Sequence, residues 1–254
     1  MKDHKTKEDE ILDMVRKRRQ IQPREGTKKI YYGIKKQLEA KGIKLGRDKL
    51  FELLRRHEML IRPRQGYTKT TNSNHPYKKY ENLVKNFVPT HENQLWVSDI
   101  TYIRTLNGFC YLALITDAYS RKIVGYDISN SLELEGSLRA LKKALKSLPA
   151  GSKPIHHSDR GIQYCSYQYT NVLKTHGLKI SMASKGDCYE NAMAERVNGI
   201  LKKEFFLDEN FINLNHAKKT SEEAIKIYNN MRLHMALDYK TPNQIHLKAI
   251  KNYC

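Results

Sequence analysis

With 254 residues, 39% of them hydrophobic, the chain can bury one sizeable core and still carry a smaller module. Its 46 Lys and Arg against 27 Asp and Glu leave a formal charge of +19, far more than solubility requires, and that points to a polyanionic partner, nucleic acid before membrane surface. Cys110, Cys165, Cys188 and Cys254 form no paired spacing, which excludes a zinc knuckle or a disulfide framework, and the longest apolar run, around Tyr111 to Ile115, is too short to cross a bilayer.

From about Glu8 to Gln20 the apolar residues Ile11, Leu12 and Val15 fall at helical spacing, and from Thr27 to Ala40 Ile30, Ile34 and Leu38 do the same. Gly42 closes the second helix, and Asp48 is read as the N-cap of a third that carries Leu50, Phe51, Leu53 and Leu54. Three short helices with glycine-containing turns suggest a helix-turn-helix unit; the plainer reading is a small bundle with a solvated basic face. Charge favours the former, since the 24 basic and 12 acidic residues up to Glu92 hold +12 of the total +19. Arg47, Arg55 and Arg56, on or beside the third helix, are expected to contact DNA. Residues 1–62 then form a basic helical domain. Residues 63–93, with Pro63, Gly66, Pro76, Pro89 and a Thr/Asn/Ser cluster from Thr68 to Asn74, form a linker or arm.

Beyond the arm the pattern turns to strands at Leu95 to Arg104, Phe109 to Thr116 and Lys122 to Ser129, rich in β-branched and aromatic residues and separated by turn residues. A helix follows from about Leu134 to Leu148, then a short strand around Ile155, a helix from about Ser166 to His176 and a strand around Leu178 to Met182. This order predicts an α/β class, a mixed sheet with helices packed against it. Helices are predicted again from about Glu190 to Phe206 and from about Asn215 to His234. The core is taken as residues 94–210, and 211–254 as a carboxyl-terminal helix and tail.

Three acids stand out. Asp99 lies in the middle of the strand Trp96-Val97-Ser98-Asp99-Ile100-Thr101-Tyr102-Ile103, where a lone carboxylate is costly unless a cation or donors compensate it. Asp159 ends the segment Ile155-His156-His157-Ser158-Asp159-Arg160-Gly161, at the carboxyl end of a strand where α/β sheets tend to place ligands. Glu195 lies on a helix whose face also holds Asn191, Ala192, Asn198, Gly199 and Lys202. Taken singly, each has a structural reading: a strand-edge Asp bonded to backbone, an Asp capping the turn before Gly161, a solvated helical Glu. Taken jointly they are the hard oxygen ligands that phosphodiester chemistry with two Mg²⁺ ions needs, which disfavours His156 and His157 as primary ligands.

The strings WVSDITYI, HHSDRGIQY and NAMAERVNGILKKEF, with 35 residues between Asp159 and Glu195, resemble the DDE catalytic signature shared by retroviral-type integrases and a large family of bacterial insertion-sequence transposases. LITDAYSRKIVGY resembles that family's second and third strands, YNNMRLHMALDYKTPNQIH its carboxyl-terminal helix and tail, and YYGIKKQLEAKGIKLGRDKLFELLRRHEM its helix-turn-helix segment. The resemblance covers nearly the whole chain and implies an RNase H-like core preceded by a small all-α helix-turn-helix domain. It implies a transposase that cleaves DNA strands and joins them, with Asp99, Asp159 and Glu195 as catalytic residues and ligands of two Mg²⁺ ions, Mn²⁺ substituting. Lys202 is implied to contact DNA beside the site, in agreement with a cation aimed at phosphate, and Arg160 and Arg196 are expected contacts as well. Glu190 stands where many relatives carry an Asp, as a rival acid, but it breaks the 35-residue spacing; Asp117 is read as organising a turn with Ser120 and Arg121. Arg232 and His234 are read as DNA or partner contacts. The implied partners are double-stranded DNA, at element ends and target, further copies of the chain on that DNA, and an upstream reading frame joined as a fusion; no membrane is involved, and the expected location is the bacterial cytoplasm at the nucleoid. A simple nuclease, a non-catalytic DNA-binding repressor and an integrase of a reverse-transcribing element are the rival readings.

Overall fold

The computed structural model describes residues 2–61, 76–183 and 192–250. Three helices open the chain: α1 (Lys2–Ile21), α2 (Thr27–Ala40) and α3 (Arg47–Arg56). Their helical-period residues close one small core of Ile11, Leu12, Val15, Ile30, Ile34, Leu38, Leu50, Leu53 and Leu54. Gly42, at φ +66°, ends α2: its own N–H and that of Ile43 reach back to the carbonyls of Glu39 and Leu38, a turn that favours glycine. The N-cap of α3 is Gly46 rather than Asp48, which sits in the first turn and accepts from Arg47 Nε at 3.0 Å. There its charge favours the positive end of the helix dipole.

The second part is a five-stranded sheet: β1 (Leu95–Thr105), β2 (Gly108–Asp117), β3 (Ile123–Ser129), β4 (Ile155–Ser158) and β5 (Lys179–Met182), in the order β3-β2-β1-β4-β5. The first three form an antiparallel meander, and β4 and β5 add in parallel on the far side of β1. The parallel additions need crossovers. These are α4 (Leu134–Lys146) before β4, and the short α5 (Ile162–Cys165) with α6 (Tyr167–Thr175) before β5. Then come α7 (Ala192–Glu204), α8 (Leu214–Asn230), a 3₁₀ turn (Met235–Leu237) and α9 (Pro242–Ile250).

Strand alternation sorts the core into two layers. Trp96, Ala113 and Ile115 face Leu141 and Ala144 of α4 and Tyr169 and Leu173 of α6. Ile103, Leu112, Leu114 and Ile128 face Val197, Leu201 and Phe205 of α7 with its following turn, and Ile225 and Tyr228 of α8. The α4 side is packed closely at Gly125 of β3, where an added Cβ would run into the Ala140 carbonyl and stand 2.8 Å from the Ala144 Cβ. Gly125→Ala therefore forces helix and sheet apart and is expected to cost about 2 kcal/mol, as over-packed cores do, read as a lower denaturant midpoint; an unchanged midpoint would mean that α4 moves freely.

The expected helix from Asn215 to His234 stops early. The N–H groups of Met231 and Arg232 both turn back to the Ile227 carbonyl, at 2.8 and 3.1 Å, and the chain leaves α8 at Asn230. The sequence reading also missed α9. Its signal was present in Thr241-Pro242-Asn243-Gln244: the Gln244 side chain accepts from the Thr241 N–H at 2.9 Å, the Thr241 hydroxyl accepts from the Gln244 N–H at 3.2 Å, and proline occupies the first helical position.

Candidate active site

In the parallel pairing of β1 with β4, Val97 lies beside His157 and Ser98 beside Ser158, where β4 ends. The next residue on each chain is an aspartate. Asp99 and Asp159 thus project side by side from adjacent strands on the face that carries Leu95 and Val97, the face that packs against Ala194 of α7. Asp159 holds the tight turn after it, accepting from the Gly161 N–H at 2.9 Å.

Asp99 is partly buried and well partnered. Its Oδ1 accepts from the Ile100 N–H at 2.9 Å and its Oδ2 from Asn198 Nδ2 at 2.7 Å. Burial first, then the negative charge of Asp159 and Glu195, pushes the Asp99 carboxyl up to about 7, against those two hydrogen bonds. Asn198 belongs to α7, one turn after Glu195, so its bond to Asp99 ties the helix that carries the third acid to the central strand. It was noted in the sequence only as part of a small polar face; its spacing of three from Glu195 was the available signal.

Glu195 lies in the first turn of α7, in electrostatic range of Asp99. It lines an open groove of about 400 Å³ with Arg196, Gly199, Ile200 and Lys203 along the outer face of α7. Among the described residues no three His, Cys, Asp or Glu side chains close into a set that could hold a metal ion. Asp99 and Asp159 are together, and Glu195 stands near without joining them. Residues 184–191, with Glu190 and Asn191 among them, lie outside the described residues.

Lys202 is half-buried on α7. Burial lowers the pKa of its ammonium, while Asp99 and Asp208 attract its charge, so it stands in range of the acid pair. Arg196 is exposed and Arg160 partly buried beside Asp159. Arg47, Arg55 and Arg56 are exposed on α3, away from these acids in the chain; Arg56 Nη2 pairs with Glu8 at 2.8 Å.

The two histidines of β4 are built into the core. His156 Nε2 lies 2.8 Å from Ser98 Oγ and 3.0 Å from the Tyr169 hydroxyl, and burial, followed by neighbouring His157, lowers it to about 3. His157 Nδ1 lies 2.9 Å from Ser181 Oγ. Asp117 organises a turn: it accepts from the Asn93 N–H at 2.7 Å, the Ser120 N–H at 2.8 Å and the Ser120 hydroxyl at 2.6 Å, while the Arg121 N–H bonds its carbonyl. Burial alone would raise its pKa; the hydrogen bonds from Ser120 and Asn93, with the His246 ring 3.9 Å from its Oδ1, outweigh that and hold it low.

Arg232 and His234, read from the sequence as DNA or partner contacts, are buried instead, at 6% and 8% exposure. Arg232 makes a two-pronged bond to Glu204, Nε to Oε2 at 2.9 Å and Nη2 to Oε1 at 2.7 Å. A guanidinium so enclosed presents no donor to a phosphate.

Comparison with known proteins bears on the family and the fold. The integrase core domain family matches over residues 89–188 and again over 176–242. The chain is 39% identical over 238 residues to the insertion element IS600 uncharacterized 31 kDa protein of Shigella sonnei, covering 92% of this chain and 86% of that protein. It is 36% identical to the transposase for insertion sequence element IS629 of the same organism, covering 83% and 72% of the two chains. Transposase InsF for insertion sequence IS3A of Escherichia coli is 33% identical, with coverages of 84% and 75%. In fold, a chain in the cryo-electron-microscopy structure of a simian T-cell lymphotropic virus intasome superposes with a TM-score of 0.54 at 17% identity, over 80% of this chain and 67% of that one. Among the described residues no helix is long and apolar enough to cross a membrane. With an RNase H-like mixed sheet behind a small all-α region and insertion-sequence relatives along most of its length, the chain belongs to the DDE transposases with an integrase core, polynucleotidyl transferases that cut DNA and transfer its strands.

Proposed function

We propose that Asp99, Asp159 and Glu195 are the catalytic residues of this transposase and hold two divalent ions, Mg²⁺ with Mn²⁺ as a working substitute. The observation that carries the reading is the β1/β4 register, which sets two aspartates side by side with the α7 helix fastened above them through Asn198. The donor set fits such a group: hard carboxylate oxygens, with Asp99 raised by burial and then by the charge of Asp159 and Glu195, a cost that a cation relieves. Closing the set requires the Glu195 side chain to turn toward the aspartates.

Bound there, divalent ions supply Lewis acidity for in-line attack on the scissile phosphate. The protein's part is orientation. Asn198 and the Ile100 amide fix the two Asp99 oxygens, the Gly161 amide fixes Asp159, and Lys202 offers a cation to the phosphates beside the acids. Water at an element's end, and then the freed 3′-hydroxyl, are the two nucleophiles of cleavage and joining.

The division of labour follows the chain: residues 1–62 bind double-stranded DNA through Arg47, Arg55 and Arg56, 63–93 connect, 94–210 carry out the chemistry with Arg160, Arg196 and Lys202 on the substrate backbone, and 211–254 buttress the core. Joining two ends in one event calls for two cores, so the active form is a homo-oligomer on DNA, in the bacterial cytoplasm at the nucleoid. An upstream reading frame fused to the chain would add end recognition. The test is an assay with oligonucleotides carrying the element's end: with Mg²⁺ or Mn²⁺ it should yield both cut and joined strands, and with chelator neither. Hydrolysis without a joined product would favour a plain nuclease, and turnover undiminished by chelator would overturn the two-ion reading.

A further inference from the structure

The helical region at the amino terminus meets the core at the far end of the helix that carries Glu195. Glu204 is the last residue of α7, nine positions after Glu195 and so roughly 13 Å along the helix axis. Lys29, in the first turn of α2, brings its Nζ to 2.7 and 2.9 Å from the two Glu204 oxygens, which also accept the two-pronged bond from Arg232. The three side chains are largely enclosed, at 13% exposure for Lys29, 23% for Glu204 and 8% for Arg232. Around the cluster, Gln22 Nε2 donates to the Met231 carbonyl, Arg24 Nη1 to the Lys203 carbonyl, and the Arg24 guanidinium lies over the Phe206 ring. Tyr32 of α2 stacks on Tyr239 at 3.6 Å between ring centres. Both acids of α7 are thus on one rigid rod, one at the chemistry and one at the seam with the helical region.

We propose that Lys29 and Arg232 are positioning residues that act through Glu204: their shared hold on one carboxylate fixes α7 against the helical region, and this sets which phosphodiester of a bound end meets the acids. The proposal rests on the reading that the helical region binds DNA. A helix interior transmits a displacement of its end with little damping, and misplacement by about 1 Å at a reacting centre costs on the order of a hundredfold in rate.

The test uses the full chain and an end oligonucleotide labelled to show the cut position. Lys29→Met leaves Glu204 satisfied by Arg232, so the variant should fold and bind the end within about twofold of the parent. Its main cut should fall at least about tenfold, with new cuts one or a few nucleotides away, and Lys29→Arg should restore the single position. Tyr32→Ala, which removes a contact across the same seam without changing charge, should scatter the cuts in the same way. A merely structural role would lower the melting temperature and leave the cut position fixed. If Lys29→Met and Tyr32→Ala cut only at the parental phosphodiester, the positioning role is overturned. The joint variant Arg55→Ala, Arg56→Ala separates this from the reading beneath it: if it binds the end as the parent does, the helical region is not the DNA-binding part and the proposal falls with it; if it binds more weakly while Lys29→Met cuts normally, only the positioning role fails.

Discussion

Asp99→Asn is expected to lose both cleavage and joining, by roughly a thousandfold or more, while the chain still folds and still binds DNA. Loss of one charge-stabilising group at a reacting centre costs about 10²–10³ in rate where it has been measured, and here the lost charge would also be an ion ligand. Folding should survive because Asn has the same shape. Its single oxygen can accept from the Ile100 amide or from Asn198 but not from both, a cost of about 1 kcal/mol, and the buried repulsion with Asp159 and Glu195 disappears at the same time. The assay is cutting of an end oligonucleotide in Mg²⁺ and in Mn²⁺, with DNA affinity and melting temperature measured alongside. Full cutting by the folded variant would remove Asp99 from the site.

Glu204→Gln should give the largest loss of stability. The substitution leaves the Lys29 ammonium and the Arg232 guanidinium facing a neutral amide, with both cations mostly enclosed. Deleting one partner of a buried ion pair costs about 3–5 kcal/mol, and the partial exposure of Glu204 argues for the lower end, about 3 kcal/mol. For a chain of this size that is a fall of about 6–12 °C in Tm. Glu10→Gln is the control, since its pair with Lys41 is about half exposed on both sides, 41% and 52%, and exposed pairs contribute about 1 kcal/mol at most. Equal shifts for the two variants would mean that the Glu204 cluster contributes no more than a surface pair.

What could be read from the sequence followed from the range of the interaction. Helices α1 to α3 and strands β1 to β3 carry their own periodic pattern, and each was recognised to within a few residues except the amino-terminal end of α1, which begins at Lys2 rather than near Glu8. Asp99 and Asp159 were legible because a carboxylate in an apolar strand and another at a strand's end each stand out locally. The bond from Asn198 to Asp99 joins residues 99 positions apart, and the sequence shows of it only that Asn198 stands one turn after Glu195. Arg232 shows the same limit from the other side: in a chain of +19 an arginine near the carboxyl end reads as a DNA contact, and only its partner, 28 positions earlier, shows that it is enclosed. Helix α9 is different, because its reciprocal Thr241 and Gln244 bonds arise from residues three apart and are a local signal that apolar periodicity does not weigh.

The order of strands also bears on when the protein becomes dangerous to the DNA of the cell that makes it. The β1-β2-β3 meander joins neighbours in sequence and can close as soon as it is made, so Asp99 takes its place early. Asp159 arrives only after the α4 crossover, when β4 inserts in parallel beside β1, and parallel pairing over such a separation has loop-closure entropy to overcome first. A chain emerging from the ribosome therefore carries a solitary aspartate in a finished hairpin for the whole interval in which residues 118–158 are being added. The paired carboxylates come into being only when β4 joins β1, so a chain ended before Asp159 lacks the pair.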